Sequence, residues 1–139
     1  MSAAEHKLVI RRFVETVWNA HDPSRVGEFH AERFTLNGEL YTPERFATDI
    51  APIFEFLGDF RETIDAMVAE EDRVAYRWTQ SGTDPRTHKR RSWHGMSMSR
   101  LFDGKIVEEW YVSELSDAEA DDAMAWLESR RSEKAAETT

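Results

Sequence analysis

Residues Ser92 to Glu114 read S-W-H-G-M-S-M-S-R-L-F-D-G-K-I-V-E-E-W-Y-V-S-E. Apolar and polar residues alternate on both sides of Asp103-Gly104, which is turn chemistry, so the stretch predicts a long β-hairpin. The register depends on the loop. A two-residue loop, Asp103-Gly104, pairs Phe102 with Lys105 and sets Ser97 and Ser99 beside Trp110. A three-residue loop with Gly104 left-handed sets Arg100 opposite Ile106, Met98 opposite Glu108, Met96 opposite Trp110 and His94 opposite Val112. The second gathers the larger apolar residues on one face and is preferred. A slip of one residue turns every side chain over. On the preferred face His94, Arg100, Glu108 and Glu114 stand among Met96, Met98, Ile106, Trp110 and Val112. Ionisable groups in an apolar wall are the material of a small-molecule site.

Outward from the hairpin, the period of two extends back through strands at Arg73–Gly82 and Thr63–Ala69. Before them the period is helical. Ile10, Phe13, Val14, Val17 and Trp18 mark an amphipathic helix over Ala3–Ala20. Asp22-Pro23 and Thr42-Pro43 each read as a cap followed by a first-turn proline. The first opens a short helix burying Val26 and Phe29. The second opens a helix burying Phe46, Ile50, Ile53, Phe54 and Leu57, which Pro52 is expected to bend or split. Phe34–Tyr41 is extended and broken at Asn37-Gly38. Ser116 and Glu119 form a capping box for a last helix, Asp117 to about Arg130, with Met124 and Leu127 inward. Residues 131–139 read as a disordered tail. Helices followed by a meander predict one α+β domain over residues 1–130, a cone-shaped roll with N-terminal helices packed in a curved antiparallel sheet.

With 139 residues the chain can bury a sizeable core. Its net charge of -9 argues against nucleic acid and anionic membranes as partners. The basic run Arg86–Arg91 reads as a solvated loop. There is no cysteine, which excludes disulfides, thiolate catalysis and cysteine zinc sites. The five histidines lack metal spacing, no phosphate-binding glycine loop exists, and Ser97 and Ser99 lack a nucleophile elbow. Neither a signal peptide nor a membrane span is visible, so the expected compartment is the cytoplasm.

Val14–Asn19 (V-E-T-V-W-N), Asp72–Thr79 (D-R-V-A-Y-R-W-T) and Asp103–Trp110 (D-G-K-I-V-E-E-W) resemble the SnoaL-like polyketide cyclases of the nuclear transport factor 2-like superfamily. The resemblance implies a cofactor-independent enzyme. It would act by general acid/base catalysis on a small apolar, ring-containing or polyketide-like molecule, by cyclisation, isomerisation, dehydration or epoxide opening. It places the family's acid/base residue at Glu114 and an assisting group at Arg100, with His94 on the same face. Leu115-Ser116-Asp117 departs from the family's continuation, which puts ester cyclisation in doubt. Each of the three residues also has a structural reading: Glu114 as a rim carboxylate, His94 as a strand histidine, Arg100 in a salt bridge. Trp110, Trp18, Met96, Met98, Asn37 and Tyr41 are the expected ligand contacts, and no metal is expected. A binding module without catalysis is the alternative. A homodimer through Leu101, Val107 and Tyr111 on the hairpin's far side fits either reading.

Overall fold

A computed structural model describes residues 1–137. Helix α1 (Ala3–Phe13) starts at a capping box, in which the Ser2 hydroxyl accepts from the Glu5 amide and the Glu5 carboxylate accepts from the Ser2 amide. It continues without a break into a π-helical segment, Val14–Asn19. The short helix after Asp22 is a 3-10 turn, Pro23–Glu28. Strands β1 (His30–Leu36) and β2 (Glu39–Tyr41) form a small hairpin on Asn37-Gly38, both left-handed at φ 50 and 82. Helix α2 (Pro43–Phe56) is capped by the Thr42 hydroxyl and contains Pro52 without splitting. Thr48, whose carbonyl loses its helical donor at Pro52, is exposed to water there.

Four long strands follow: β3 (Arg61–Glu70), β4 (Arg73–Asp84), β5 (Lys89–Phe102) and β6 (Lys105–Ser113). Half of the expected basic loop is therefore strand: Lys89–Arg91 open β5, while Arg86 pairs with Asp84 at 2.9 Å. The sheet order is β2-β1-β6-β5-β4-β3. Strand β1 runs parallel to β6, so the expected all-antiparallel sheet is mixed. Helix α3 (Asp117–Glu137) closes the fold. Residues 131–137 continue this helix rather than fraying, and Arg131 pairs with both Glu55 and Glu128. Residues 138–139 of the expected tail lie outside the described residues.

The concave face of the sheet wraps α1, the π segment and α2. Its core joins Ile10, Phe13, Val14, Val17, Phe46 and Ile50 to Phe34, Val74, Tyr76, Trp78, Leu101 and Ile106. Aromatic rings fill the cone: Trp18 alone meets Phe13, Phe46, Phe54 and Phe60 at centroid distances of 5.6 to 6.5 Å. A second cluster, Phe56, Leu57, Phe60, Ala123 and Leu127, fastens α3 across the wide end. Among the described residues no helix is long and apolar enough to cross a membrane.

Candidate functional site

The β5–β6 hairpin has a two-residue turn at Asp103-Gly104 (φ 51 and 76), pairing Phe102 with Lys105. A bulge at Val107 then lets Leu101 face Ile106 and Arg100 face Glu108. Beyond it Met98 pairs with Trp110 and Met96 with Val112. Turn and register therefore differ from the three-residue loop, yet the bulge restores the expected grouping of Met96, Met98, Arg100, Glu108, Trp110 and Val112. Ile106 leaves that group and is wholly buried.

That shared face is the outer face of the sheet. Met96 is 54% exposed, Trp110 43% and Val112 69%. The inner face of β5 carries Trp93, Gly95, Ser97, Ser99 and Leu101, and that of β6 carries Ile106 and Glu109. The reason is space. Bulky rings cross the cone from β4 and the helices, so β5 contributes small residues inward and sends its methionines out. A Cβ on Gly95 would stand 2.1 Å from the Trp78 ring.

The expected catalytic residues therefore lie outside the cone. Glu114 is exposed and follows the end of β6. It does meet His94, but through the main chain: its carboxylate accepts from the His94 amide at 2.7 Å. The His94 imidazole instead bonds the Thr79 hydroxyl at 2.9 Å, and Thr79 donates to Asp65 at 2.6 Å. Arg100 donates to Glu108 at 3.0 Å, and Trp110 donates to the other oxygen of Glu108 at 2.7 Å. These two bonds, the Trp110 indole first, hold the Glu108 carboxyl below its usual range. The expected ligand contacts also disperse. Trp18 is core packing. Asn37 is a turn residue whose carboxamide oxygen accepts from the Tyr111 amide at 2.8 Å. Tyr41 donates to Asp49 at 2.8 Å under the Arg45 guanidinium. Met96 and Met98 are outer-face residues.

Enclosed chemistry is found on the inner face. Glu62 of β3 is buried, and Gln80 of β4 donates to its carboxylate at 2.6 Å. Trp93 of β5 donates to the Gln80 side-chain oxygen, Oε1, at 2.9 Å. Three neighbouring strands thus build one directed chain, Trp93 to Gln80 to Glu62, because these residues are cross-strand partners in register. Burial pushes the Glu62 carboxyl up to about 7, with the Gln80 bond opposing and the charge of Glu109 adding to the rise. Gln80 and Trp93 line a cleft of about 240 Å³ under α3, walled by Ile53 of α2, by Leu57 just after it, and by Leu115, Ala123 and Met124. At its rim Arg91 pairs with Glu119 at 3.1 Å.

A second polar locus lies deeper. His30 of β1 bonds Glu109 of β6 at 3.1 Å, both buried, with the imidazole ringed by Phe13, Phe34 and Phe46. His30 Nδ1 and Ser99 Oγ are buried there without protein partners. Trp78 donates to Ser97 at 2.9 Å between the two loci. Among the described residues no group of three or more His, Asp or Glu is arranged to hold a metal ion. The sequence carried a signal for the inner site. Val74, Tyr76, Trp78 and Gln80 alternate on one face of β4, and Gln80 is the polar member of an otherwise apolar row with one tyrosine.

The family model for the SnoaL-like polyketide cyclases matches residues 8–121. No curated protein matches the sequence. Among solved structures, AclR from Streptomyces galilaeus, described as a proposed hydroxylase, is 27% identical over 82% of this chain and 92% of its own, with a TM-score of 0.70. A proposed polyketide cyclase from Acidithiobacillus ferrooxidans is 16% identical over 82% and 92%, at a TM-score of 0.72. IdmH, a proposed polyketide cyclase from Streptomyces antibioticus, is 23% identical over 78% and 91%, at 0.71. The last two support the fold alone.

Proposed function

We propose that this chain, which belongs to the SnoaL-like polyketide cyclase family, is an enzyme whose Glu62 is the general acid/base for a small, mostly apolar, ring-containing molecule bound beneath α3. The observation that carries the reading is a buried carboxyl poised near neutrality and tied by one hydrogen bond to a wall of the cleft. A group titrating near the working pH is present as both acid and base, which is what proton transfer to and from a carbon acid or hydroxyl requires. Gln80 holds the carboxylate, Trp93 holds Gln80, and the two give the cleft its polar side. The apolar wall from α2 and α3 holds rings and keeps water away. The reaction is cyclisation, isomerisation, dehydration or epoxide opening, in each of which Glu62 moves a proton. Dehydration releases that proton with the leaving hydroxyl as water, and epoxide opening takes up a water or a substrate hydroxyl as nucleophile.

The test uses cyclic ketones, phenols and epoxides as a substrate panel. Turnover by the wild-type protein and its loss by a hundredfold or more in Glu62→Gln, with the fold retained, supports the assignment. Undiminished turnover in that variant sinks it, as does activity that depends on Glu114 instead. The same reading includes a homodimer. Its interface is the exposed outer sheet face around Met96, Met98, Trp110 and Val112, in place of the expected Leu101, Val107 and Tyr111: Leu101 is core, Val107 is half-buried, and Tyr111 pairs with Ser97 on the inner side of the sheet.

A further inference from the structure

We propose that Asn19 is the positioning residue of this site, its carboxamide standing in for a missing strand along the open edge of the sheet at Glu62. The proposal rests on the reading of Glu62 as the acid/base, which meets the cleft through Gln80. Strand β3 is the last in the sheet, so the main-chain groups on its free side have no strand to pair with. At Glu62 the side chain of Asn19 supplies both partners. Its oxygen accepts from the Glu62 amide at 2.7 Å, and its nitrogen donates to the Glu62 carbonyl at 2.9 Å. One carboxamide thus reproduces the donor and acceptor pattern of a neighbouring strand. Just beyond, His21 in the turn after the helix has its Nε2 2.8 Å from the carbonyl oxygen of Phe60, the residue before β3, so this end of the first helix and its turn hold the approach to β3 at two points.

The π segment accounts for this placement. A π turn accommodates one extra residue, and each residue of a regular α-helix advances about 100° around the axis. The widening keeps Val14 and Val17 in the core while Asn19 reaches β3. Such turns are uncommon and concentrate at functional sites. Here the unusual element ends on the residue that clamps Glu62. A fixed main chain matters because the Glu62 carboxyl must reach Gln80 from an edge strand, the part of a sheet most free to fray. With the edge held, the carboxyl stays out of water.

The charged and titratable groups around Glu62 are few. Arg11 and Glu15 of the first helix and Arg61 of β3 border it in a shallow groove on the edge side, and Glu15 is itself bonded to Asn19. Glu109 of β6 acts on it from within the cone, and Glu62 in turn helps to raise the buried Tyr76 hydroxyl of β4.

The test needs no substrate. In the full chain carrying ¹³C-labelled glutamate carboxyls, NMR follows the titration of Glu62 and exchange of its amide proton. Asn19→Ala should accelerate that exchange tenfold or more and drop the titration midpoint by about one pH unit or more toward the ordinary carboxylate value, as water reaches the carboxyl. Asn19→Asp keeps the acceptor for the Glu62 amide, gives up the donor to the Glu62 carbonyl and to Glu15, and adds a negative charge, so the amide should stay more protected than in Asn19→Ala while the charge holds or raises the midpoint. Simple loosening of the fold would lower both. An unchanged midpoint in Asn19→Ala overturns the proposal, and so does a fall in Asn19→Asp. If Asn19→Ala does not fold, Asn19→Asp decides: a held midpoint with a protected Glu62 amide supports the clamp, a fall removes it. Turnover by Glu62→Gln is read separately, so a clamp on a carboxyl without catalytic use is told apart from a failed clamp.

Discussion

Glu62 shows how one buried acid links chemistry to stability. Burial pushes its carboxyl up to about 7 from an ordinary 4.5. Between those values the folded state holds a proton that the unfolded state has released. Stability contributed by the neutral acid is therefore full below pH 4.5 and is lost as pH rises through 7. The size is on the order of 3 kcal/mol, since each tenfold gain in proton affinity on folding is worth about 1.4 kcal/mol. Urea unfolding from pH 4.5 to about 8 should show the wild-type protein losing stability relative to Glu62→Gln, whose neutral amide does not titrate. Parallel stability curves for the two would mean that Glu62 is ionised in the fold and that burial does not govern it. The sequence pointed elsewhere at this scale, to Glu114, because motif position says where a carboxylate sits along a strand and not which side of the strand is enclosed. Glu62 was hidden for a plainer reason. The expected strand began at Thr63, so the acid fell in the preceding loop.

At the scale of elements, nearly every helix and strand was legible, since capping residues and the change of period from helix to strand are local properties. The turn at Asp103-Gly104 was legible too, as one of two options. What sequence could not supply was the bulge at Val107, which reverses the parity that a two-residue turn sets, and the side toward which the helices pack. The larger apolar residues of β5 suggested the core face, yet a concave sheet filled from one side needs small residues where foreign rings arrive. Gly95 is the clearest case. Its missing Cβ leaves room for the Trp78 indole, which is buried and donates to Ser97. Gly95→Ala should cost about 1–3 kcal/mol by overpacking. Gly58→Ala, at a position with nothing within 4 Å, should change stability by less than about 0.5 kcal/mol. Thermal or urea midpoints of the two variants check this, and equal effects would contradict the close approach of indole and backbone.

At the scale of the whole molecule, one face of the sheet is left to explain. Val68, Met96, Met98, Trp110 and Val112 stand on β3, β5 and β6 facing away from the helices, each between 42% and 69% exposed. Strand alternation normally puts polar residues on a solvated face, so a run of apolar groups there implies a cover. Charges of both signs flank the patch. Arg73 and Arg77 lie on β4 and Glu114 just after β6, on the outer side, while Arg100 and Glu108 between them pair with each other. A two-fold contact can set the basic half of one sheet against the acidic half of its partner, and a self-complementary patch is what a closed dimer uses. Light scattering at micromolar concentration should therefore give twice the 16.2 kDa chain mass. Met96→Glu combined with Val112→Glu should give the single-chain mass, because paired cross-strand carboxylates would be buried without counter-charges. The variant should keep the Glu62 titration, since both substitutions lie on the opposite side of the sheet from the cleft. A wild-type monomer at that concentration would remove the dimer. A double variant that remained dimeric would move the interface to another surface and leave the apolar face for a different partner.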